Sequence, residues 1–381
     1  MSQSSPRTLL HVFPSFAIGG AQMRMVQLAN HFGPRYRHLI ISMNGNCDAL
    51  GRLAPDIDAR QLEIPVRKSG LWSNLNTFRQ VLKDERPDLL VTSNWGTIEW
   101  ALANIPGLCP HLHMEDGFGP DEVARQLPRR VMTRRLALRR TTVMLPSQTL
   151  YSIARNVWHL PKDRLRHIPN GVDCRRFGGQ ADDGLAARLG LNGPEPVIGT
   201  VATLRSEKNL SRLLKAFALV SATRPARLVI IGDGPDMPCL TTLARVLGLT
   251  DRVVFTGAMA APESLLPAFT IFALSSNTEQ MPLSVLEAMA AGKPVAATDV
   301  GDVRDMVCRE NRPFVVAPRT QALAQSIGAL LDDPAQAGRI GAANADHARA
   351  TFDESLMFLA YGALFDGPTP ARTRRTLSSQ V

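Results

Sequence analysis

Short apolar runs alternate with helix-length segments twice along this chain, and that rhythm constrains its fold more than any other feature. Parallel strands need a crossover of about a dozen residues between them, so the alternation is the mark of a parallel sheet wrapped by helices. In the first half, Leu9–Phe13, Tyr36–Met43, Gln61–Ile64, Asp88–Thr92, His111–Met114 and Arg166–Pro169 read as strands. Helices are predicted over Ala21–Phe32, Asn74–Glu85, Asp121–Arg140 and Ser147–Val157. In the second half, Val197–Ala202, Leu228–Ile231, Val253–Phe255, Ile271–Leu274, Val295–Ala297 and Phe314–Val316 read as strands. Their helices are Leu210–Ala222, Cys239–Leu247, Leu283–Ala291, Ala322–Leu331 and Pro334–Ala350, and a last one runs from about Glu354 to Phe365. Between the halves, Arg175–Gly193 is polar and glycine-bearing, and reads as a linker with one short helical turn.

The expected architecture is therefore α/β, with two Rossmann-like, doubly wound parallel-sheet domains facing a central cleft. The domains are placed at 1–180, joined by a crossover helix in 352–366, and at 181–351, and a polar tail, 367–381, is expected to be disordered. A length of 381 residues suits two cores of similar size.

No apolar run approaches the length of a membrane helix, and Met1–Arg7 lacks the basic-then-apolar order of a signal peptide. A cytoplasmic protein is the expectation. The five cysteines, at 47, 109, 174, 239 and 308, form no C-x-x-C pair, so neither a zinc site nor a disulfide framework is indicated. The net charge of +9 admits nucleic acid, an anionic membrane or phosphorylated small molecules, and does not choose among them.

The chemistry-bearing residues fall at strand-to-helix joints, where ligands bind in open α/β sheets. Within Ser275–Glu287, Glu279 lies in a loop after a strand, Pro282 suits the first turn of a helix, and Glu287 sits just over one turn inside. Two carboxylates then face one end of the sheet with free helix N–H groups between them. Those N–H groups suit a phosphate, and the carboxylates suit the paired hydroxyls of a sugar or ribose. A solvated glutamate favoured by the helix dipole is the alternative. In Val201–Asn209, Arg205 and Lys208 could stabilise a leaving diphosphate, or be two exposed cations in a loop. Gly19 and Gly20 would let the backbone approach a ligand closely, or form a tight turn. Gly232 and Gly234 make a similar joint, but Met237 breaks the G-x-G-x-x-G pattern, and no P-loop occurs.

Taken in order, these motifs resemble glycosyltransferase family 4, the retaining GT-B enzymes, over nearly the whole chain. The resemblance rests on Gly19-Gly20-Ala21-Gln22, Ile168–Asp173, Val201–Asn209, Ile230–Pro235, Val254–Gly257 with Phe255, and Glu279–Glu287 followed by Ala288–Gly292 and Pro294-Val295. It implies a nucleotide-sugar donor, UDP- or GDP-linked, in the second domain, and a glycan or lipid-linked acceptor in the first. Glu287 would bind the ribose, Glu279 with Gln280, Met281, Pro282 and Leu283 would hold the sugar, and Lys208 with Arg205 would neutralise the diphosphate. Transfer would proceed with retention and without a metal or other cofactor, in bacterial cell-surface polysaccharide or glycolipid synthesis.

Three positions depart from the family. Thr203 stands where an arginine is usual, and Gln280 where a glycine is usual. The family's histidine falls in His113–Phe118, with Asp116 as the aligned residue and His113 as the second choice. Residues 124–140 hold seven arginines and no acid, with Leu127, Val131 and Leu138 on one stripe. Such a helix would either dock on an anionic membrane, making the protein peripheral to the inner face, or pack its stripe on its own sheet. The arginines are not interleaved with aromatics, which disfavours nucleic acid. The competing readings are a sugar-nucleotide epimerase or phosphorylase of the same shape, and a non-catalytic membrane- or partner-binding module.

Overall fold

The computed structural model describes residues 6–66, 70–118, 122 and 125–367. Thirteen strands are seen among them: β1 Arg7–Phe13, β2 Tyr36–Ser42, β3 Ala59–Gln61, β4 Leu89–Ser93, β5 His111–Met114, β6 Thr142–Leu145, β7 Leu165–His167, β8 Val197–Val201, β9 Arg227–Ile231, β10 Val253–Gly257, β11 Ile271–Leu274, β12 Val295–Thr298 and β13 Val315–Val316. They form two sheets, in the orders β3-β2-β1-β4-β5-β6-β7 and β10-β9-β8-β11-β12-β13. Every paired strand is parallel. The strand order reverses between β1 and β4 and between β8 and β11. At such switch points the loops leaving neighbouring strands diverge to opposite faces and open a crevice.

Several elements differ from the sequence expectation. Strand β6 has no counterpart in the sequence expectation: four residues close behind Arg139 and Arg140 are too few for a periodic signal. The helix Ile98–Ala103 was also missed, and β3 precedes its predicted position. The arginine-rich helix is shorter than expected, Pro128–Leu138, because Pro128 takes its first turn. Of the predicted start, Asp121, Val123 and Ala124 lie outside the described residues, as does the tail 368–381. The stretch read as a linker carries two short helices, Cys174–Phe177 and Asp183–Arg188, capped by the side chains of Asp173 and Asp182.

Apolar residues cover both faces of the second sheet. Val229, Phe272, Val285 and Leu286 belong to one cluster, and Ile198, Leu214, Phe217 and Ile327 to the other. The final helix, Glu354–Asp366, leaves the second sheet and packs on the first. Its Met357, Phe358, Tyr361 and Phe365 join Leu9, Leu28, Val91 and Met114 in one core. The two chain crossings between the sheets touch where Val172 pairs with Asp353: Val172 N donates to Phe352 O at 2.8 Å, and Glu354 N to Val172 O at 3.0 Å.

Candidate active site

The loops leaving β8 and β11 meet at the second switch point. The β8 loop ends at Asn209, whose φ of 42° is left-handed and whose side chain caps the helix Leu210–Ser221. Arg212 in that helix donates to the carbonyls of Ser275 (2.7 Å) and Ser276 (3.2 Å), and Ser275 Oγ donates to Lys208 O at 3.0 Å. The two loops are thereby fixed against each other, and Lys208 Nζ sits 2.6 Å from Glu279 Oε1. Ser276 Oγ donates to the same oxygen at 2.6 Å.

Gly232 and Gly234 hold the β8 loop from its other side. Their φ values are 137° and 158°, and a Cβ would fall 1.9 Å from Ala202 O at the first and 2.5 Å from Leu204 O at the second. Only glycine permits that approach.

Across from these loops lies the first domain. Gly19 begins, as N-cap, the helix Gly20–Phe32, and a Cβ on Gly20 would meet Leu283 Cδ1 at 3.8 Å. Arg24 in this helix is 3% exposed, pairs with Asp116 at 2.6 Å, and donates to Asn170 Oδ1 at 2.9 Å. Asn170 Nδ2 donates in turn to Met281 O at 3.0 Å. A chain of contacts therefore runs from the helix after the glycine loop to the 279–283 loop.

The cleft between the domains encloses about 370 Å³ and is lined by Gly20, Arg24, Asp116, Thr203, Lys208, Glu279 to Ser284, and Glu287. The first turn of the helix Leu283–Ala290 opens into it, with the free N–H groups that any helix start leaves. The Glu287 carboxylate makes no hydrogen bond or ion pair to the described residues. Burial pushes its carboxyl up to about 7, against the opposing pull of Arg176 and with a further push from Glu263. A carboxylate held this way gains by accepting hydroxyls from a ligand.

The structure thus brings Lys208, Glu279, Gln280, Met281, Pro282, Leu283, Glu287, Gly20 and Asp116 to one cavity. Gly19 stands just outside as the helix cap. Gly232 lines an adjoining hollow of about 270 Å³ that shares Ala202 and Thr203 with the cleft, while Gly234 shapes the basic loop from below. Three predicted residues are not brought in. His113 is fully buried in β5, bonded to Thr92 Oγ1 at 2.8 Å, so Asp116 and not His113 faces the cleft. Arg205 is exposed and outside the lining. Phe255 packs on the core of the second sheet.

Sequence reasoning missed Arg24, Asn170 and Ser276. Arg24 left a readable trace: it shares a helix face with the apolar Ala21, Met25 and Leu28, where an arginine is costly unless paired. Among the described residues, no group of three or more His, Cys, Asp or Glu side chains could hold a metal ion.

Two adjoining sheets of parallel strands facing a cleft define a GT-B architecture. The family profile for glycosyl transferases group 1 matches residues 183–347, and that for glycosyltransferase family 4 matches 18–176. The chain belongs to this family of GT-B glycosyltransferases. It is 37% identical over 177 residues to a 2-deoxystreptamine glucosyltransferase of Streptomyces kanamyceticus, covering 44% of this chain and 45% of that one. It is 31% identical over 204 residues to a GDP-mannose-dependent monoacylated alpha-(1-6)-phosphatidylinositol monomannoside mannosyltransferase of Corynebacterium glutamicum, covering 50% and 53%. The matched region spans about half the length of these relatives. Among solved structures, Anabaena HepE in complex with UDP and glucose superposes with a TM-score of 0.80 at 20% identity, over 94% of this chain and 99% of that one.

Proposed function

We propose that this chain transfers a sugar from a UDP- or GDP-sugar to a hydroxyl of a glycan or lipid-linked acceptor, with retention at the anomeric carbon. The observation that carries this reading is Glu287: a carboxylate pushed up by burial and without a partner among the described residues, beside the Lys208–Glu279 pair, at a strand-order switch point. Residues 181–351 hold the donor. Residues 1–180, with the helix in 352–366, hold the acceptor. Glu287 accepts the ribose hydroxyls. Lys208 offsets charge on the departing diphosphate, and Glu279 with the 280–283 backbone orients the sugar. The acceptor oxygen bonds to the anomeric carbon as the carbon–oxygen bond to the diphosphate breaks, and the acceptor proton passes to a phosphate oxygen. Because Lys208 supplies positive charge, the scheme needs no metal.

The names of the two relatives suggest an aminocyclitol or a phospholipid glycoside as acceptor classes. The lipid-linked class has a structural argument of its own. On the helix Pro128–Leu138, Met132 is 63% and Leu136 64% exposed, between the exposed Arg129 and Arg135 and close to Arg139 and Arg140. An outward apolar pair ringed by cations suits the anionic inner face of a cell membrane. No helix of the described residues is long and apolar enough to cross one.

The test is a panel of nucleotides and nucleotide sugars scored by thermal stabilisation, since a ligand that binds only the folded state raises stability by mass action. The best stabiliser is then used as donor with candidate acceptors. Stabilisation by a UDP or GDP compound, and turnover lost in Lys208→Ala and Glu287→Ala with the fold intact, are the expected results. Full turnover in either variant would sink the site assignment. Release of an isomerised free sugar nucleotide without acceptor would point to an epimerase.

A further inference from the structure

The cleft is crossed by a contact that the chemistry above does not use. Gly301 has a φ of 55°, and a Cβ there would lie 2.3 Å from Glu279 O and 2.7 Å from Gln280 O. The 301–302 turn can therefore lie directly on the donor-side loop, and Asp302 N donates to Gln280 O at 3.0 Å. The Asp302 carboxylate points the other way, into the first domain. One oxygen accepts from Gln148 N at 2.5 Å, and the other accepts from Thr149 N at 3.0 Å and Thr149 Oγ1 at 2.6 Å. These are donors of the first turn of the helix Gln148–Asn156, where a negative charge is favoured by the helix dipole. Asp302 is 7% exposed, so its charge depends on those donors.

Gln280 makes a second tie beside the first. Its Oε1 accepts from Ser147 Oγ at 3.3 Å, and its Cγ lies 3.3 Å from where a Cβ on Gly117 would stand. One side chain thus spans from the donor-side loop to the segment that carries Asp116.

We infer that Asp302 and Gln280 form a clasp that joins closing of the two domains to the shape of the donor-side loop. The inference rests on the proposed donor site. Asp302 and Gln280 are positioning residues. With the domains apart, Asp302 loses three donors, and the 279–283 backbone loses the brace that fixes it at the sugar position. Hydrogen bonds to a charged group are worth about 1.5–3 kcal/mol, roughly tenfold to a hundredfold in a closing equilibrium. Ligand that requires the closed form is then bound more weakly by the fraction lost. Gln280 acts at the same place through its volume: a glycine there would open the sugar end of the cleft on the Gly117 side.

The experiment compares the full-length wild type with Asp302→Ala, Thr149→Val and Gln280→Gly. Small-angle scattering without ligand, the Kd for UDP and GDP, and the donor KM and kcat are measured for each. Asp302→Ala is expected to give a larger radius of gyration, and a donor KM raised about tenfold or more with kcat changed far less. Thr149→Val, which leaves the donor-side domain untouched, should move both in the same direction by a smaller factor. Gln280→Gly should admit a bulkier donor sugar. Unchanged scattering and an unchanged donor KM in both Asp302→Ala and Thr149→Val would overturn the clasp. So would a loss confined to kcat with wild-type scattering. A wild type that binds neither nucleotide would defeat the donor reading, and the scattering comparison would still decide the clasp.

Discussion

The first domain holds a buried acid pair and the second a half-buried carboxylate on the cleft, and they are treated in opposite ways. In the first, Glu115 is 0% exposed and lies 3.4 Å from Arg134 Nε and 3.5 Å from His113 Nε2. Arg134 is itself fully buried, 4.9 Å from the ring centroids of Trp95 and Trp158, and takes both oxygens of Glu122 in a fork. Burial pushes the Glu122 carboxyl up, but its hydrogen bonds with Arg134 hold it below the usual range. In the second domain, Glu287 faces the cleft with no partner among the described residues, and its carboxyl is pushed up to about 7. An acid closed in by a guanidinium and aromatic rings belongs to the architecture. An acid left open at a switch point is the feature on which the proposed donor site rests.

The contrast breaks most directly at Arg134. Arg134→Met leaves Glu115 buried without a cation and Glu122 with Arg130 alone, and should cost about 3–5 kcal/mol of stability in urea unfolding. A loss below about 1 kcal/mol would mean the pair is not the closed structure described. Glu287 should behave in the opposite sense. Its folded pKa of about 7 lies above its ordinary 4.5, so the native state binds more protons across that window, and stability falls as pH rises through it. Glu287→Gln should therefore be more stable than the wild type at pH 8, with the difference gone at pH 4. A difference independent of pH would show that the carboxylate is not unpaired. The smallest effect concerns the outer face of the arginine helix. Arg129→Glu with Arg135→Glu should weaken binding to phosphatidylglycerol-containing vesicles by roughly 1 kcal/mol per arginine, and added salt should weaken it further. Absent or salt-insensitive binding in the wild type would remove the membrane role.

The arginine helix also shows where sequence reading ran out. Of the stripe Leu127, Val131 and Leu138, the last two turn inward: Leu138 is fully buried and Val131 packs on the same core, while Leu127 stands half-buried as the helix N-cap. Nothing in the local pattern marks Arg134 as buried among seven arginines, because its partners come from Trp95, Glu115, Glu122 and Trp158. The alternation of strands and helices was legible because it is a local, periodic property, as were the acid-bearing loop and the basic loop at strand ends. Arg24–Asp116, Asn170–Met281 and Asp302–Thr149 join residues 92, 111 and 153 positions apart, and no spacing in one sequence encodes them. The difference between Lys208, inside the cleft, and Arg205, outside it, arises in one 3-10 turn over Ser206–Lys208. Periodicity is too coarse to orient that turn.

The return of the helix Glu354–Asp366 to the first sheet fixes an order of events during synthesis. Chains leave the ribosome from the N-terminus, and domains tend to fold as they emerge. Here the first sheet is translated long before the helix that caps it, so the surfaces of Phe32, Tyr36 and Met114 that meet Phe365 and Met357 stay uncovered while the whole second sheet is being made. A nascent first domain is thus an unfinished hydrophobic surface, and a ribosome stalled before residue 354 would present it to chaperones and proteases.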